Sequence, residues 1–216
     1  MTGFQLKLLA MLTMLIDHAG MILFPELTWM RVVGRLAFPL YCFLLAEGAI
    51  YTHDIKRYLG RLLMFAVLSE IPYDLACSKM LFDPWGQNVF YVLFFGLLAC
   101  AAVQRFREKP ALALLLVGAL TLAAELLFFD YGGFGVALVV VFYLCRANRV
   151  GGALAFTALN TGFSLLNGMG LQLAAPAAAI PMLLYNGKKG RAVNKWIFYG
   201  FYPVHLLLLF FLRAAA

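Results

Sequence analysis

The stretch Leu9–Phe24, "LAMLTMLIDHAGMILF", sets an aspartate and a histidine side by side in an apolar run. Histidine exchanges a proton near neutral pH, and a nearby carboxylate can orient its ring and balance its charge. Asp17 and His18 therefore have the chemistry of a general base and its support. Neighbours on a helix point about 100° apart, so the two are expected to face different partners rather than act in line. Glu70 and Asp74 are spaced to share one helix face, where two carboxylates repel. Arg35 is the cation expected between them. Asn88 and His205, the latter just after the kink-prone "FYP", complete the polar groups set among apolar residues. Each has a plainer reading: neutral polar glue between helices for the histidines, a structural ion network for Arg35, Glu70 and Asp74.

The elements that must hold these groups follow from composition. Of 216 residues, 64% are hydrophobic and 12% charged, and mean hydropathy is +0.90. Soluble domains run near 45–50% apolar and about 25% charged. The chain is read as an integral membrane protein, helical because several apolar runs approach the ~20 residues that cross a bilayer. Barrel strands would be about half that length and alternating. The segments 4–24, 35–52, 57–77, 88–104, 111–129, 132–147, 150–166, 171–185 and 196–213 predict an all-α bundle of about nine transmembrane helices, one domain over 1–216. The first segment, with Lys7 near its start, resembles a signal peptide. It lacks a small-residue cleavage site and is expected to be retained.

A formal charge of +7 points to membrane orientation rather than nucleic acid, because the basic residues fall in short clusters between apolar runs. These are Lys56, Arg57 and Arg61; Arg105, Arg107 and Lys109; Arg146 and Arg149; and Lys188, Lys189, Arg191 and Lys195. They occupy alternate loops, which predicts an inside N-terminus and an outside C-terminus. In that frame Asp17, His18, Arg35, Glu70, Asp74 and Asn88 gather toward the outer half. Cys42, Cys77, Cys100 and Cys145 show no metal spacing and read as apolar thiols. The cytoplasmic stretch "YNGKKGRAVNK", Tyr185–Lys195, has glycines around paired lysines. It suits a phosphate cradle, but by composition alone plain anchoring to the inner membrane face is the favoured reading.

In order along the chain, "LKLLAMLTMLIDHAG", "GRLAFPLYCFLLAEGAIYTHDIKRYLGRLLMFAVLSEIPYDL", "QNVFYVLFFGLL", "DYGGFGVAL", "LLYNGKKG" and "KWIFYGFYPVHLLLL" resemble the TraX family. Its namesake acetylates the pilin of conjugative plasmids. The resemblance implies a membrane acyltransferase of the bacterial plasma membrane, related to the acyltransferase-3 type, with acetyl-CoA as donor and no metal. It makes His18 the catalytic residue with Asp17 and Arg35 in support, and Glu70, Asp74, Asn88 and His205 candidates for holding substrate. Tyr185, Asn186, Lys188, Lys189 and Arg191 become candidates for the CoA phosphates. The acceptor would be an amine or hydroxyl on a pilin, peptide, amino sugar or glycan beyond the membrane. Two rivals stand beside this: a proton-coupled transporter or flippase using Asp17, His18, Glu70 and Asp74 as a relay, and an assembly scaffold. The apolar faces leave oligomerisation open.

Overall fold

A computed structural model describes residues 1–215. The first helix, α1 (Gly3–Ile22), starts at a reciprocal cap: Thr2 Oγ1 accepts from the Gln5 N–H while Gln5 Oε1 accepts from the Thr2 N–H. Such a cap satisfies two of the donors that every helix start leaves free. Two more are taken by the chain's far end, since the Gly3 and Phe4 amides donate to the Lys188 and Lys189 carbonyls at 2.8 and 2.9 Å.

The second expected span, 35–52, is α3 (Ala37–Tyr51), and a further helix, α2 (Thr28–Gly34), precedes it. Helical structure thus begins earlier than the expected residue 35, which brings Arg31 into a helix. Asp54 caps α4 (Ile55–Cys77), Asn88 caps α5 (Val89–Arg105), and α6 (Pro110–Leu126) opens on proline, whose missing N–H costs nothing there. α7 (Gly132–Leu144) is followed by α8 (Arg149–Leu166), capped by Asn148. The span expected at 171–185 is a 3-10 run, Gly170–Ala178, passing into the short α9 (Ala179–Leu183). Pro176 and Pro181 remove backbone donors there and shorten any regular α-helix. α10 (Lys195–Ala215) continues as one helix through Pro203. Among the described residues the only β pairing is an isolated bridge between Gln87 and Phe129.

The chain is thus all-helical. Gly3–Ile22, Thr28–Tyr51 and Lys195–Ala215 are long and apolar enough to cross a membrane; Val89–Arg105, Pro110–Leu126, Gly132–Leu144 and Gly170–Leu183 are apolar but shorter. Large apolar side chains also point outward, among them Val67, Leu115, Leu154, Leu166 and Leu208. Water would not tolerate so broad an apolar exterior, and lipid would. This is a membrane protein.

α1 packs on α2, α3 and α10, whereas α4 packs chiefly on α5 and α10. The basic clusters share one end of the bundle. Arg149 donates to the Tyr185 carbonyl, Arg146 lies over Tyr51, Arg61 reaches the Tyr199 hydroxyl, and Arg105, Arg107 and Lys109 border a hollow with Ile55 at the start of α4. At the α1–α2 crossing two glycines allow the backbones to close. A Cβ on Gly20 would lie 2.6 Å from that of Met30, and one on Gly34 would lie 2.0 Å from Asp17 Oδ1.

Replacing Gly34 with alanine should therefore destabilise the protein by about 1–3 kcal/mol, the usual cost of overpacking. Thermal unfolding in detergent checks this, with Gly60→Ala as control because nothing lies within 4 Å of its added carbon. A midpoint unchanged by Gly34→Ala would mean that the two helices do not meet as described.

Candidate functional site

The site begins with a buried carboxylate. Asp17 on α1 is 8% exposed and accepts hydrogen bonds from two arginines of the next helical segment. Arg35 Nη2 lies 2.7 Å from both of its oxygens, and Arg31 Nη1 lies 2.8 Å from Oδ2. A carboxylate so far from water is tolerable only when paired and hydrogen-bonded in this way. The α2 spacing provides the grip, since residues four apart lie on one helix face. Arg35 Nε also holds the Arg31 carbonyl at 3.3 Å, tying the two arginines together.

Tyr131 closes the far side of this cluster. Its hydroxyl accepts from Arg35 Nη1 at 3.4 Å, and its ring stacks on Phe38 with centroids 3.7 Å apart. Tyr131 has φ +62°, a left-handed conformation costing a non-glycine residue about 1–2 kcal/mol. The stacking and the hydrogen bond hold it there. Asp130 precedes it in the same turn, and burial pushes its carboxyl up to about 6 while Arg35 pulls the other way.

His18 points about 100° round α1 from Asp17 and makes no bond to the carboxylate. Its Nδ1 is 2.7 Å from Nε2 of His205 on α10, and the His205 Nδ1 is 2.8 Å from the Phe201 carbonyl. The two rings lie within 20° of parallel with centroids 4.9 Å apart, so they meet edge to edge through the nitrogen contact. Tyr202 packs against both rings.

Apart from His205 and Phe201, these groups border a cavity of about 470 Å³ that runs along α1. Asp17, His18, Arg31, Arg35, Asp130 and Tyr131 line one part. Lys7, Arg61, Lys189 and Lys195 line another, where the basic loops gather. Lys7 and His18 are about 16 Å apart along α1 at 1.5 Å per residue. Between the two polar parts the walls are largely apolar and aromatic, with Leu45, Leu62, Phe90, Leu93 and Tyr199 among them. The volume falls in the range of small-molecule sites.

Several expectations meet a different geometry. Arg35 does not lie between Glu70 and Asp74; it is committed to Asp17. Glu70 instead accepts from Asn88 Nδ2, which also donates to the Ala66 carbonyl at 2.7 Å. Asp74 accepts from the Asp83 amide at 3.0 Å. Glu70 Oε1, Asp74 Oδ1 and Ser69 Oγ are buried without a hydrogen-bond partner. This cluster lies on the α4 face toward α5, and none of Glu70, Asp74 and Asn88 lines the cavity. His205 reaches the cavity only through His18.

In the basic loop, only Lys189 of the five expected residues lines the cavity. Tyr185 is buried edge-on against Phe43 beneath Arg149. Asn186 turns the loop by accepting from the Lys188 amide at 3.0 Å. Lys188 and Arg191 lie outside the lining. Lys195, the last residue of that stretch, and Lys7 and Arg61 from α1 and α4 join Lys189, and Arg31 and Tyr131 join Asp17 and Arg35. Arg31 was legible in principle, standing four residues before Arg35 on a shared face. Arg61 and Lys195 stand in the basic clusters already noted, whereas Lys7 carries no local signal of a ligand site. Among the described residues no cluster of three or more His, Cys, Asp or Glu is arranged to hold a metal ion.

Comparison with known proteins places these residues in a wider group. The family described as "TraX protein" matches residues 2–213. A protein of Dichelobacter nodosus named "Probable fimbrial assembly protein FimC, serogroup H1" is 31% identical over 232 aligned positions, covering 96% of this chain and 94% of that protein. A second similarity, to the uncharacterized protein RP591 of Rickettsia prowazekii, is 58% identity over 44 residues, 19% of this chain and 18% of that one. No solved structure matches. With a family match over nearly its whole length and a relative aligned end to end, the chain belongs to the TraX family.

Proposed function

We propose that the protein is a multi-pass membrane acyltransferase related to the acyltransferase-3 type. It moves an acetyl group from acetyl-CoA to an amine or hydroxyl of an acceptor beyond the bacterial plasma membrane. The single observation that carries this reading is the cavity joining a four-cation end to an imidazole-and-arginine end through apolar walls. Membership of the TraX family and the fimbrial assembly name of the Dichelobacter relative support it. They favour a pilin or similar surface subunit as acceptor. The shared basic end, taken as cytoplasmic by the positive-inside rule, sets the N-terminus inside and the C-terminus outside.

Acetyl-CoA would supply the activated acyl group as a thioester. Lys189, Lys195, Lys7 and Arg61 suit its phosphates, and the apolar walls suit an extended flexible arm. Lys7 and Lys189 repel each other, and an anion between them relieves that repulsion. His18 takes the proton of the acceptor N–H or O–H as the nitrogen or oxygen bonds the acyl carbon. When the C–S bond breaks, His18 returns that proton to the departing sulfur. Among the described residues the Arg31 Nε and Nη2 groups donate to no protein acceptor, and they supply a cationic edge for the developing oxyanion. Asp17 holds the arginines in place and does not act as a base, because both of its oxygens are already occupied.

Detergent-solubilised protein incubated with labelled acetyl-CoA and an amine panel should transfer label, and His18→Ala should abolish transfer with folding retained. Turnover in that variant overturns the role of His18. A thioester left intact by the unaltered protein, with proton-linked flux in vesicles, overturns enzymatic function in favour of transport. Acetyl-CoA should also protect the protein from thermal unfolding. Converting Lys189 and Lys195 to glutamine should weaken that binding about tenfold or more, as expected for lost charge-assisted hydrogen bonds. Converting Lys188 and Arg191 should do much less, because neither lines the cavity. Equal effects from the two pairs would return the loop to general anchoring.

A further inference from the structure

The contacts of His18 and His205 determine more than their proximity. The Phe201 carbonyl can only accept, so the His205 Nδ1 at 2.8 Å must carry a proton. A neutral imidazole has one N–H, which leaves the His205 Nε2 with a lone pair. That nitrogen is 2.7 Å from the His18 Nδ1, which must then be the donor. The proton of His18 is thus fixed on Nδ1, and its Nε2 is left with a lone pair. No protein group hydrogen-bonds to that Nε2 among the described residues, and His18 borders the cavity. For a neutral pair, no other proton arrangement satisfies both contacts.

We propose that His205 is the positioning residue of the acyl-transfer site, holding His18 in the tautomer whose Nε2 is free to take a proton. The inference rests on the acyl-transfer reading above. It gives α10 the role that the acid plays in serine-protease triads, here performed by a second imidazole anchored on a backbone carbonyl. Asp17 cannot fill it, because the 100° step turns it toward the arginines. The contact is also reversible in charge. When His18 gains a proton at Nε2, its Nδ1–H continues to donate to His205, so no hydrogen bond breaks during the transfer.

The chain has three histidines, His18, His53 and His205. In a His53→Gln protein labelled with nitrogen-15 histidine, a spectrum at neutral pH should show both remaining rings protonated at Nδ1 and bare at Nε2. A ring protonated at Nε2, or at both nitrogens, overturns the arrangement. In transfer assays His205→Phe should lower kcat roughly a hundredfold or more with KM little changed. His205→Gln, whose carbonyl can still accept from the His18 Nδ1–H, should recover a substantial part of that loss. Equal losses in both variants, or a loss confined to KM, overturn the positioning role. The arms separate the two readings. Expected tautomers in a protein that transfers no acyl group overturn the enzymatic reading and His205's part in it. Nε2-protonated rings in an active protein overturn this inference alone.

Discussion

The paired burial of Asp17 with Arg31 and Arg35 is the constraint on which the rest of the site depends. A lone carboxylate inside an apolar bundle is prohibitive, and removing one partner of a buried pair leaves a costly orphan charge. The solution joins α1 to α2 along one line of contact. It forbids a side chain at Gly34, whose Cβ would occupy the position of the carboxylate. It also anchors Tyr131 through Arg35, and with it the left-handed turn that opens α7. Because Asp17 is consumed by this structural work, the neighbouring His18 needs a partner from elsewhere. The helical step delivers it to α10.

Much of this was legible from residue types and spacing. Composition sufficed for the class, and the caps at Thr2, Asp54, Asn88 and Asn148 are the small polar residues that helix starts favour. The separation of Asp17 from His18 followed from helix geometry alone. What failed was the assignment of Arg35 to Glu70 and Asp74. Charge counting along a membrane chain gives each residue a depth but no direction around the bundle axis. Arg35 and the two acids share a depth range, yet α4 packs on α5 and α10 while Arg35 belongs to the α1–α2 side. Only tertiary packing distinguishes these cases, and a single sequence does not encode it in any local pattern.

The basic end shows the same limit. The "YNGKKG" loop stands out because its cations are contiguous, yet its backbone is largely occupied in holding the bundle together. Its Lys188 and Lys189 carbonyls cap α1, its Asn186 amide donates to the Met1 carbonyl, and Gly190 comes so close to Thr2 that a Cβ would lie 2.5 Å from its hydroxyl. The cations that line the cavity are instead dispersed as Lys7, Arg61, Lys189 and Lys195. The stretch visible in one dimension is mainly a structural clamp that lends Lys189 and, at its last position, Lys195, while Lys7 and Arg61 come from α1 and α4.

Both ends of the cavity therefore depend on the same pairing of the first helix with the last quarter of the chain. At one end the loop before α10 caps the start of α1; further along, His205 bonds His18 across 187 residues of sequence. The first contact needs the loop before α10 and the second needs α10 itself, so both bring the last part of the chain against α1. A base left accessible in a bundle without α10 would keep its arginines, which come from α2, but lack its oriented tautomer. Placing the two halves of the site on the first and last helices couples completion of the fold to assembly of the chemistry.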